Sequence, residues 1–369
     1  MRSTTVTAPD SAAATPATAQ RAGIRIGPVG LPWRPRVLVA TLVGGVVVAV
    51  LIVVSIVAGA GGLTPDAVAR ALIGLGDPAE SFVVVELRLP RTLVGALVGL
   101  VLGVAGALTQ TFTRNPLATP DILGVTSGAS VGAVAAIVLG GGSYAVGDGL
   151  ITAGIPTIAT IGAILAAVVV YGLGWRGGVQ SYRLILVGIG VAATLDAVTS
   201  YLLVRAQISQ AAAASQSLVG SLSAVSWTTV WPLVVVTVIV VPLALATSAA
   251  LAVSQLGDEV SRGVGLNLHR HRLVVIALAV LLAAASVAAA GPVGFVAFVV
   301  PQIALRIAAT NRPPLLLSGL VGAALVIASD TVARTLFPWE VPVGIVTTVV
   351  GAPYLIWLLI RHRKDFAAS

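Results

Sequence analysis

One stretch organises this chain: residues 88–132 read RLPRTLVGALVGLVLGVAGALTQTFTRNPLATPDILGVTSGASVG. It begins with two arginines around a proline, continues as an apolar run, and passes through a polar, proline-containing segment into a second glycine-rich run. The apolar run has the roughly 20 residues that a helix needs to cross the hydrocarbon core of a bilayer. Gly95, Gly99 and Gly103 recur every four residues, a spacing that favours close helix packing inside membranes. The stretch therefore predicts a membrane helix, a break and a second membrane helix.

The overall composition indicates a protein that crosses the bilayer many times. Of the 369 residues, 57% are hydrophobic and only 9% are charged. The net charge of +8 comes from arginines scattered between apolar runs, which favours orientation in a membrane over binding to nucleic acid. The absence of cysteine excludes disulfides, thiolate metal sites and cysteine nucleophiles.

Apolar runs separated by glycine, proline or charge predict an all-α chain with ten membrane spans. The predicted spans are 37–57, 91–111, 123–142, 150–173, 183–204, 230–252, 272–290, 293–310, 315–336 and 343–360. Residues 1–36 are predicted to be a flexible tail, residues 37–362 the transmembrane domain, and residues 363–369 a C-terminal tail. A cleaved signal peptide is the alternative for the N-terminus, but the first apolar run exceeds a signal core of about 15 residues.

Ten spans place both termini on one side of the membrane, and the basic residues indicate which side. Arginine and lysine concentrate on the cytoplasmic side of membrane proteins. If the termini are cytoplasmic, only five of the 21 basic residues lie outside. These are Arg70, Arg88, Arg91, Arg205 and Arg334. The sequence therefore predicts cytoplasmic termini.

Two helix-breaking segments interrupt the apolar pattern at corresponding places. The first contains Asn115, Pro116 and Pro120, after span 2, and the second contains Gly291 and Pro292, after span 7. Span 2 runs inward and span 7 outward, so spans 2–5 and 7–10 would have opposite orientations. This arrangement predicts an inverted repeat, which is frequent among transporters.

The sequence lacks the residues that catalysis and metal binding need. Ser127 is followed by glycine as in some nucleophile turns, but the three histidines, at 269, 271 and 362, fall at predicted cytoplasmic ends. No histidine or carboxylate cluster has metal-ligand spacing, and no phosphate-binding glycine loop is present. We therefore expect no enzyme activity, no metal site and no directly bound cofactor or ATP.

Asp196 is a candidate pathway residue because it falls about 13 residues into the fifth span. A charge at this depth is costly, and such residues commonly serve transport. A hydrogen bond to a neighbouring helix is the alternative role. A transporter driven by an ion gradient through Asp196 is one function class, and a scaffold protein is another, although a scaffold does not need paired helix breaks.

Three arginines are candidates for binding an acidic partner on the outer surface. Arg88 and Arg91 lie three residues apart at the outer end of span 2, and Arg334 lies at the outer end of span 9. Converging arginines on an otherwise weakly basic surface would suit an acidic protein. Contact with lipid headgroups is the alternative.

The longest inner connection, residues 254–272, is a candidate for contact with a cytoplasmic partner. Asp258 and Glu259 precede a turn bounded by glycines. Acidic residues are favourable in the first turn of a helix, so the pattern predicts a short helix here. A solvated loop is the alternative.

Taken together, these motifs resemble those of the FecCD-type permeases, the membrane subunits of importers for ferric siderophores, haem and vitamin B12. The matching pieces are Arg88 Leu89 Pro90 Arg91; Asn115 to Pro120 with Ile122 Leu123 Gly124 and Ser127 Gly128 Ala129; Gly220 Ser221 Leu222; Leu256 Gly257 Asp258 Glu259; Gly291 to Val296 with Pro301; and Asp330, Arg334, Glu340, Pro342 Val343 Gly344, Thr347 and Gly351 Ala352 Pro353. They occur in order and leave only the N-terminal tail uncovered.

The resemblance implies a permease domain in a bacterial cell membrane that pairs with a second copy or a paralogue. It implies two cytoplasmic ATPase subunits, which use ATP and Mg²⁺, and an extracytoplasmic solute-binding lipoprotein that docks on Arg88, Arg91 and Arg334. Spans 5 and 10 would line the path between the two copies. A coupling helix would enter the ATPase at Leu256, Gly257, Asp258, Glu259, Arg262 and Gly263.

The resemblance also assigns residues to helix breaks and to gating. These are Asn115, Pro116, Pro120, Gly291, Pro292, Pro301 and Gln302. The family usually has histidine where this chain has Gln302, and often tryptophan where it has Ser217. Glutamine cannot titrate, so we expect no protonation role at Gln302. A ferric siderophore is the expected cargo because it is the commonest in the family, with vitamin B12 and haem as alternatives.

Overall fold

The structure is a computed structural model that describes residues 23–26, 29–32, 34–59, 62–139, 149–175 and 181–366. Strands β1, Gly23–Ile26, and β2, Val29–Pro32, form an antiparallel hairpin, and the other regular elements are helical. The α-helices are α1 Pro35–Val57, α2 Pro65–Leu72, α3 Pro78–Ser81, α4 Leu89–Thr113, α5 Val125–Leu139, α6 Gly149–Gly174, α7 Ser181–Arg205, α8 Ile208–Ser217, α9 Trp227–Ala246, α10 Ser248–Ser254, α11 Asp258–Gly263, α12 Leu268–Ala290, α13 Val296–Ala308, α14 Leu315–Thr335 and α15 Val343–Phe366. A π-helix covers Phe82–Arg88 and a 3₁₀ turn covers Pro120–Leu123.

The predicted multi-span helical fold is confirmed. Within the described residues, α1, α4, α6, α7, α9, α12 and α14 contain stretches long and apolar enough to cross a bilayer, and α5, α13 and α15 contain shorter apolar stretches. The third predicted span begins at Leu123, the last residue of the 3₁₀ turn, and continues as α5, with residues 140–142 outside the described part. The sixth divides into α9 and α10 at Thr247.

Regular structure extends into both predicted tails. The hairpin lies within residues 1–36, and its β-branched Ile24, Ile26 and Val29 favour strands. The rest of that tail before Arg34 lies outside the described residues. At the other end, α15 continues to Phe366, beyond the predicted boundary at residue 362.

Helix α4 is the centre of the bundle. Most of its residues are buried, and it packs against α14, α12, α13 and α9. A side chain at Gly99 would overlap the backbone carbonyl of Gly322, and one at Gly103 would overlap that of Ser318. The predicted glycine ridge therefore brings the backbones of α4 and α14 into contact, as small residues do in membranes.

A second glycine ridge joins α5 to α6. A Cβ at Gly132 would lie 2.6 Å from the carbonyl oxygen of Ile158, and one at Gly128 would overlap the backbone of Gly162. As between α4 and α14, glycines four residues apart mark this close helix contact.

The helix contacts agree with the predicted inverted repeat. Spans 2–5 correspond to α4–α7 and spans 7–10 to α12–α15. The contact of α4 with α14 has its counterpart in α12 with α6, and the contact of α5 with α6 in α13 with α14. The contact of α6 with α7 likewise matches that of α14 with α15. If each helix of one half is replaced by its counterpart in the other half, the main helix contacts therefore stay the same.

The π-helix Phe82–Arg88 leads directly into α4, so helical structure is continuous from Pro78 to Thr113. The indole Nε1 of Trp227 donates a hydrogen bond of 3.2 Å to the carbonyl of Val85 in this segment. Arg88, the first predicted docking residue, is the last residue of the π-helix, so the π-helix positions it next to α4.

Candidate functional site

The structure brings the three predicted docking arginines together at one end of the bundle. Together with two acidic residues they form the group that we call the arginine cluster. Its members are Arg88, Arg91, Arg334, Asp330 and Glu340. The cluster lies where α1 ends, α4 begins and α14 ends.

Asp330 is the buried centre of the arginine cluster. Its Oδ1 accepts from Nε and Nη2 of Arg91 at 3.1 and 2.9 Å, and its Oδ2 lies 3.2 Å from Nε of Arg334. The Asp330 side chain is only 2% exposed. Two guanidinium groups therefore share one buried carboxylate, and the two-pronged contact with Arg91 is the stronger arrangement for such a pair.

The arginines also fasten the end of α1 to the bundle. Arg334 donates from Nη2 to Oγ of Ser55 at 2.7 Å, and Arg88 donates from Nη1 to the carbonyls of Ile56 and Val57 at 2.8 and 3.1 Å. Arg88 is 6% exposed. In the single chain these arginines thus have a structural role, and docking through them remains a prediction.

The short helix predicted within residues 254–272 is confirmed as α11, with Asp258 and Glu259 in its first turn. Gly257 precedes it with a φ of 105°, a conformation open to glycine. Glu259, Arg262 and Gly263 are exposed. Leu256, Val260 and Val264 are also exposed and form an apolar patch on and beside α11.

Asp258 binds its own chain and does not share the exposed position of Glu259. Its Oδ1 lies 2.9 Å from Nη2 of Arg114, and its Oδ2 lies 2.8 Å from Nη2 of Arg272. Burial raises the pKa of Asp258, but the hydrogen bonds and charges of Arg272 and Arg114 outweigh it and hold the pKa below its ordinary value. Asp258 therefore ties α11 to the ends of α4 and α12.

Both predicted helix breaks are present. Arg114 ends α4 with a φ of 53°, and the side chain of Asn115 accepts from the backbone N–H of Leu117 at 2.9 Å before the 3₁₀ turn that starts at Pro120. Gly124, with a φ of 70°, then leads into α5. Pro116 thus lies in the first break, as predicted.

The second break separates α12 from α13. Gly291 ends α12 with a φ of 69°, and Phe295 precedes α13 with a φ of 65°, which is rare for a bulky residue. Pro292 lies between them. Pro301 lies inside α13 and not at a break.

The two breaks meet at a cavity of about 60 Å³. Its walls include Thr119, Asp121 and Thr126 from the first break and Pro292, Gly294 and Phe295 from the second. The carboxylate of Asp121 accepts a hydrogen bond from the hydroxyl of Thr126. Asp121 is not among the residues predicted from the sequence, although an acid just after Pro120 and before a helix is a recognisable signal of a helix start.

Gln302 connects α13 to α4. Its Nε2 donates to Oε1 of Gln110 at 2.6 Å, and Nε2 of Gln110 donates to the carbonyl of Phe298 at 2.9 Å. Both glutamines are buried. A non-titrating hydrogen-bond network therefore occupies the position where the resemblance expected histidine.

Asp196 lies on an exposed face of α7, near the middle of the span. Within the part of the chain that the structure describes, its carboxylate has neither an ion pair nor a hydrogen bond. Ala193, Ala197 and Ser200 on the same side are also exposed. A bare carboxylate in lipid is costly, so this face needs water or another protein beside it.

The described residues contain no group of three or more histidines and carboxylates placed to hold a metal ion. The arginine cluster and α11 lie at opposite ends of the central helix α4. Both are candidate surfaces for contact with other proteins.

Comparison with known proteins decides the family. Residues 46–361 match the FecCD transport family. The chain belongs to this family. The match includes the arginine cluster, both helix breaks and α11, and it excludes the hairpin of β1 and β2.

Three relatives of this FecCD-family chain illustrate the range of its similarities. It is 38% identical over 322 residues to the ferric enterobactin transport system permease protein FepG of Escherichia coli (strain K12), covering 85% of this chain and 95% of FepG. It is 35% identical over 326 residues to the iron(3+)-hydroxamate import system permease protein FhuG of Bacillus subtilis (strain 168), covering 88% and 97%. It is 37% identical over 297 residues to the cobalamin import system permease protein BtuC of Halobacterium salinarum, covering 80% and 78%.

The fold of this FecCD-family chain also matches a solved structure. That structure is described as an inward-facing conformation of an ABC transporter of the metal-chelate type. The TM-score is 0.77 at 26% identity, and the match covers 87% of this chain and 98% of the other.

Proposed function

We propose that this chain is the membrane permease subunit of an ATP-driven importer that takes up a ferric siderophore delivered by a solute-binding protein. The observation that carries the proposal is the family match over residues 46–361, which includes every candidate contact region. The subunit itself is a transport component and not an enzyme. ATP and Mg²⁺ act in a partner ATPase.

The ATPase contact in this proposal is α11. Leu256, Val260 and Val264 are exposed beside charged Glu259 and Arg262, and exposed apolar patches rimmed by polar residues are typical of protein interfaces. Asp258 would hold α11 in place from within the permease, while Glu259 faces the ATPase.

The solute-binding lipoprotein would dock at the opposite end of α4, on the arginine cluster. Three positive and two negative side chains leave this cluster with a net positive charge, which favours an acidic partner surface. Because Arg88 is nearly buried, docking would engage Arg91 first.

The path for cargo would lie between two permease copies, identical or paralogous. Small-molecule pockets typically measure about 300–1,000 Å³, so the cavity of about 60 Å³ between the helix breaks is too small for an iron chelate. Asp196 is exposed on α7 and has no ion pair among the described residues, which supports a water-filled path or a partner copy at that face.

A ferric siderophore is the proposed cargo because FepG and FhuG are named for ferric enterobactin and iron(3+)-hydroxamate. BtuC is named for cobalamin, which keeps vitamin B12 as an alternative, with haem as a third. The proposed location is a bacterial cell membrane with both termini in the cytoplasm.

Reconstitution in vesicles tests this function. Permease, ATPase and cargo-loaded binding protein should together accumulate radioactive iron chelate when ATP is enclosed on the ATPase side. Asp196 favours one competing function, a transporter driven by an ion gradient. Accumulation by the permease alone under an ion gradient would support that competitor and reject the proposal.

A further inference from the structure

Glu340 covers the most accessible part of the arginine cluster. It lies in the connection between α14 and α15 and forms an ion pair with Nη1 of Arg91. Its side chain is 48% exposed, whereas that of Arg91 is 17% exposed. A protein that approaches this end of the bundle therefore meets a carboxylate before it meets the guanidinium beneath.

The two carboxylates that bind Arg91 differ in how easily they can be removed. Asp330 is buried, takes Nε and Nη2, and is shared with Arg334. Glu340 takes only Nη1 and is half in solvent. Exposed ion pairs contribute little to stability, and breaking a buried one is costly. Glu340 is thus the carboxylate that can leave while the rest of the cluster stays intact.

An acidic side chain from a docking protein would compete directly with Glu340. Both would need the same nitrogen of Arg91, and two carboxylates side by side repel each other. We propose that Glu340 is a displaceable carboxylate, which occupies Arg91 until an acidic side chain of the docked solute-binding protein replaces it. This inference rests on the proposed function, because it assumes that the partner docks at this end.

Displacement would also free the chain around Glu340. Phe337 and Trp339 are exposed in the same connection. Once Glu340 leaves Arg91, these side chains can move with it and pack against the docked protein, where aromatic residues often contribute most to binding.

The first test measures docking to the permease–ATPase complex in lipid nanodiscs at low salt. The probe is the soluble domain of the partner solute-binding protein, loaded with its iron chelate. The variant is Glu340→Gln. The control is Asp66→Asn, which removes the same charge from the exposed ion pair of Asp66 with Arg70 on α2, a helix packed at the same end of the bundle. Thermal unfolding of each variant checks that it folds.

Removing the competing carboxylate should tighten docking by about two- to five-fold, the range expected for one exposed ion pair. Asp66→Asn should change it less than Glu340→Gln does. Equal or weaker docking of Glu340→Gln would overturn the displacement. If neither wild type nor variant binds the probe, the docking step of the proposed function fails as well.

The second test follows the connection itself. Because the chain has no cysteine, a single Phe337→Cys can carry a nitroxide label. In wild type, the label should become more mobile or change its environment when the probe docks, and in Glu340→Gln it should be mobile beforehand. A label that does not respond to docking in wild type would contradict displacement even if affinity changes.

Discussion

Arg114 and Asp258 are 144 residues apart in the chain, yet Nη2 of the arginine lies 2.9 Å from Oδ1 of the aspartate. Arg114 ends the central helix α4, and Asp258 begins α11. The other end of α4 carries Arg91 in the arginine cluster. One helix therefore joins the two surfaces on which partner proteins are proposed to act.

Asp258→Asn should loosen α11. The substitution removes the charge from the ion pairs with Arg114 and Arg272, which are worth roughly 0.2–1 kcal/mol each when partly exposed. Amide hydrogen exchange in α11 should rise about two- to thirty-fold in the isolated permease. Glu259→Gln, one residue away and exposed, is the matched control and should leave exchange unchanged. Equal exchange in the two variants would contradict the assigned role of Asp258.

The attachment of α11 should depend on pH only in acid. Since the pKa of Asp258 is lowered from 3.8, its contribution is fully present above that value and is lost as the pH falls through the lower, folded value. A nitroxide at Val260→Cys should keep the same mobility from pH 7 to pH 5 and become mobile below about pH 4. Combined with Asp258→Asn, the label should lose this step. A step near neutral pH would point to another group.

Asp330→Asn should destabilise the fold strongly. It leaves Arg91 and Arg334 without their shared charge in a buried site, and breaking a buried pair costs about 3–5 kcal/mol. Denaturant or thermal unfolding in detergent measures the loss. Asp66→Asn breaks an exposed pair and should cost no more than about 1 kcal/mol. Similar stabilities for the two variants would show that the Asp330 pairs contribute little.

Gly99→Ala should disturb the packing of α4 on α14. The added methyl group would overlap the backbone of Gly322, which cannot move aside as a side chain can. We expect at least the 1–3 kcal/mol typical of overpacking, measured by unfolding. Gly45→Ala on α1 places its methyl group in open space and is the control. If both variants unfold alike, the close approach of α4 and α14 is not needed for stability.

Asp196 should be reachable from water in the assembled importer. Asp196→Cys should react with a thiol reagent that does not cross membranes, and the reaction should slow when cargo-loaded binding protein and ATP are present. Ile161→Cys, on an exposed face near the middle of α6, should stay unreactive if that face meets lipid. Equal reactivity at the two positions would remove Asp196 from the path.

The sequence reveals those parts of the fold whose signals are local. Such signals depend only on neighbouring residues in the chain. The apolar runs appear in the structure as helices, the glycines every four residues as close helix contacts, and the two proline- or glycine-rich segments as helix breaks. The short helix α11 was also predictable, because acidic residues at its start are a local signal.

The sequence does not reveal partners that come from distant segments. Asp258 and Glu259 look alike in the sequence, and only the fold brings Arg114 to one of them. The burial of Arg88 against α1 and the meeting of Asp121 with the second break likewise depend on packing between helices. Pro301 breaks no helix, although proline usually does so, since α13 continues on both sides of it.

In the π-helix Phe82–Arg88, each backbone hydrogen bond spans five residues, one more than in an α-helix. If that extra residue were taken up, residues on the α3 side would rotate by about 100° for each residue of register shift, while α4 stayed where it is. The connection between α1 and α4 could thus change direction at the expense of the hydrogen bond from Trp227 to Val85, while the glycine contacts of α4 stay intact.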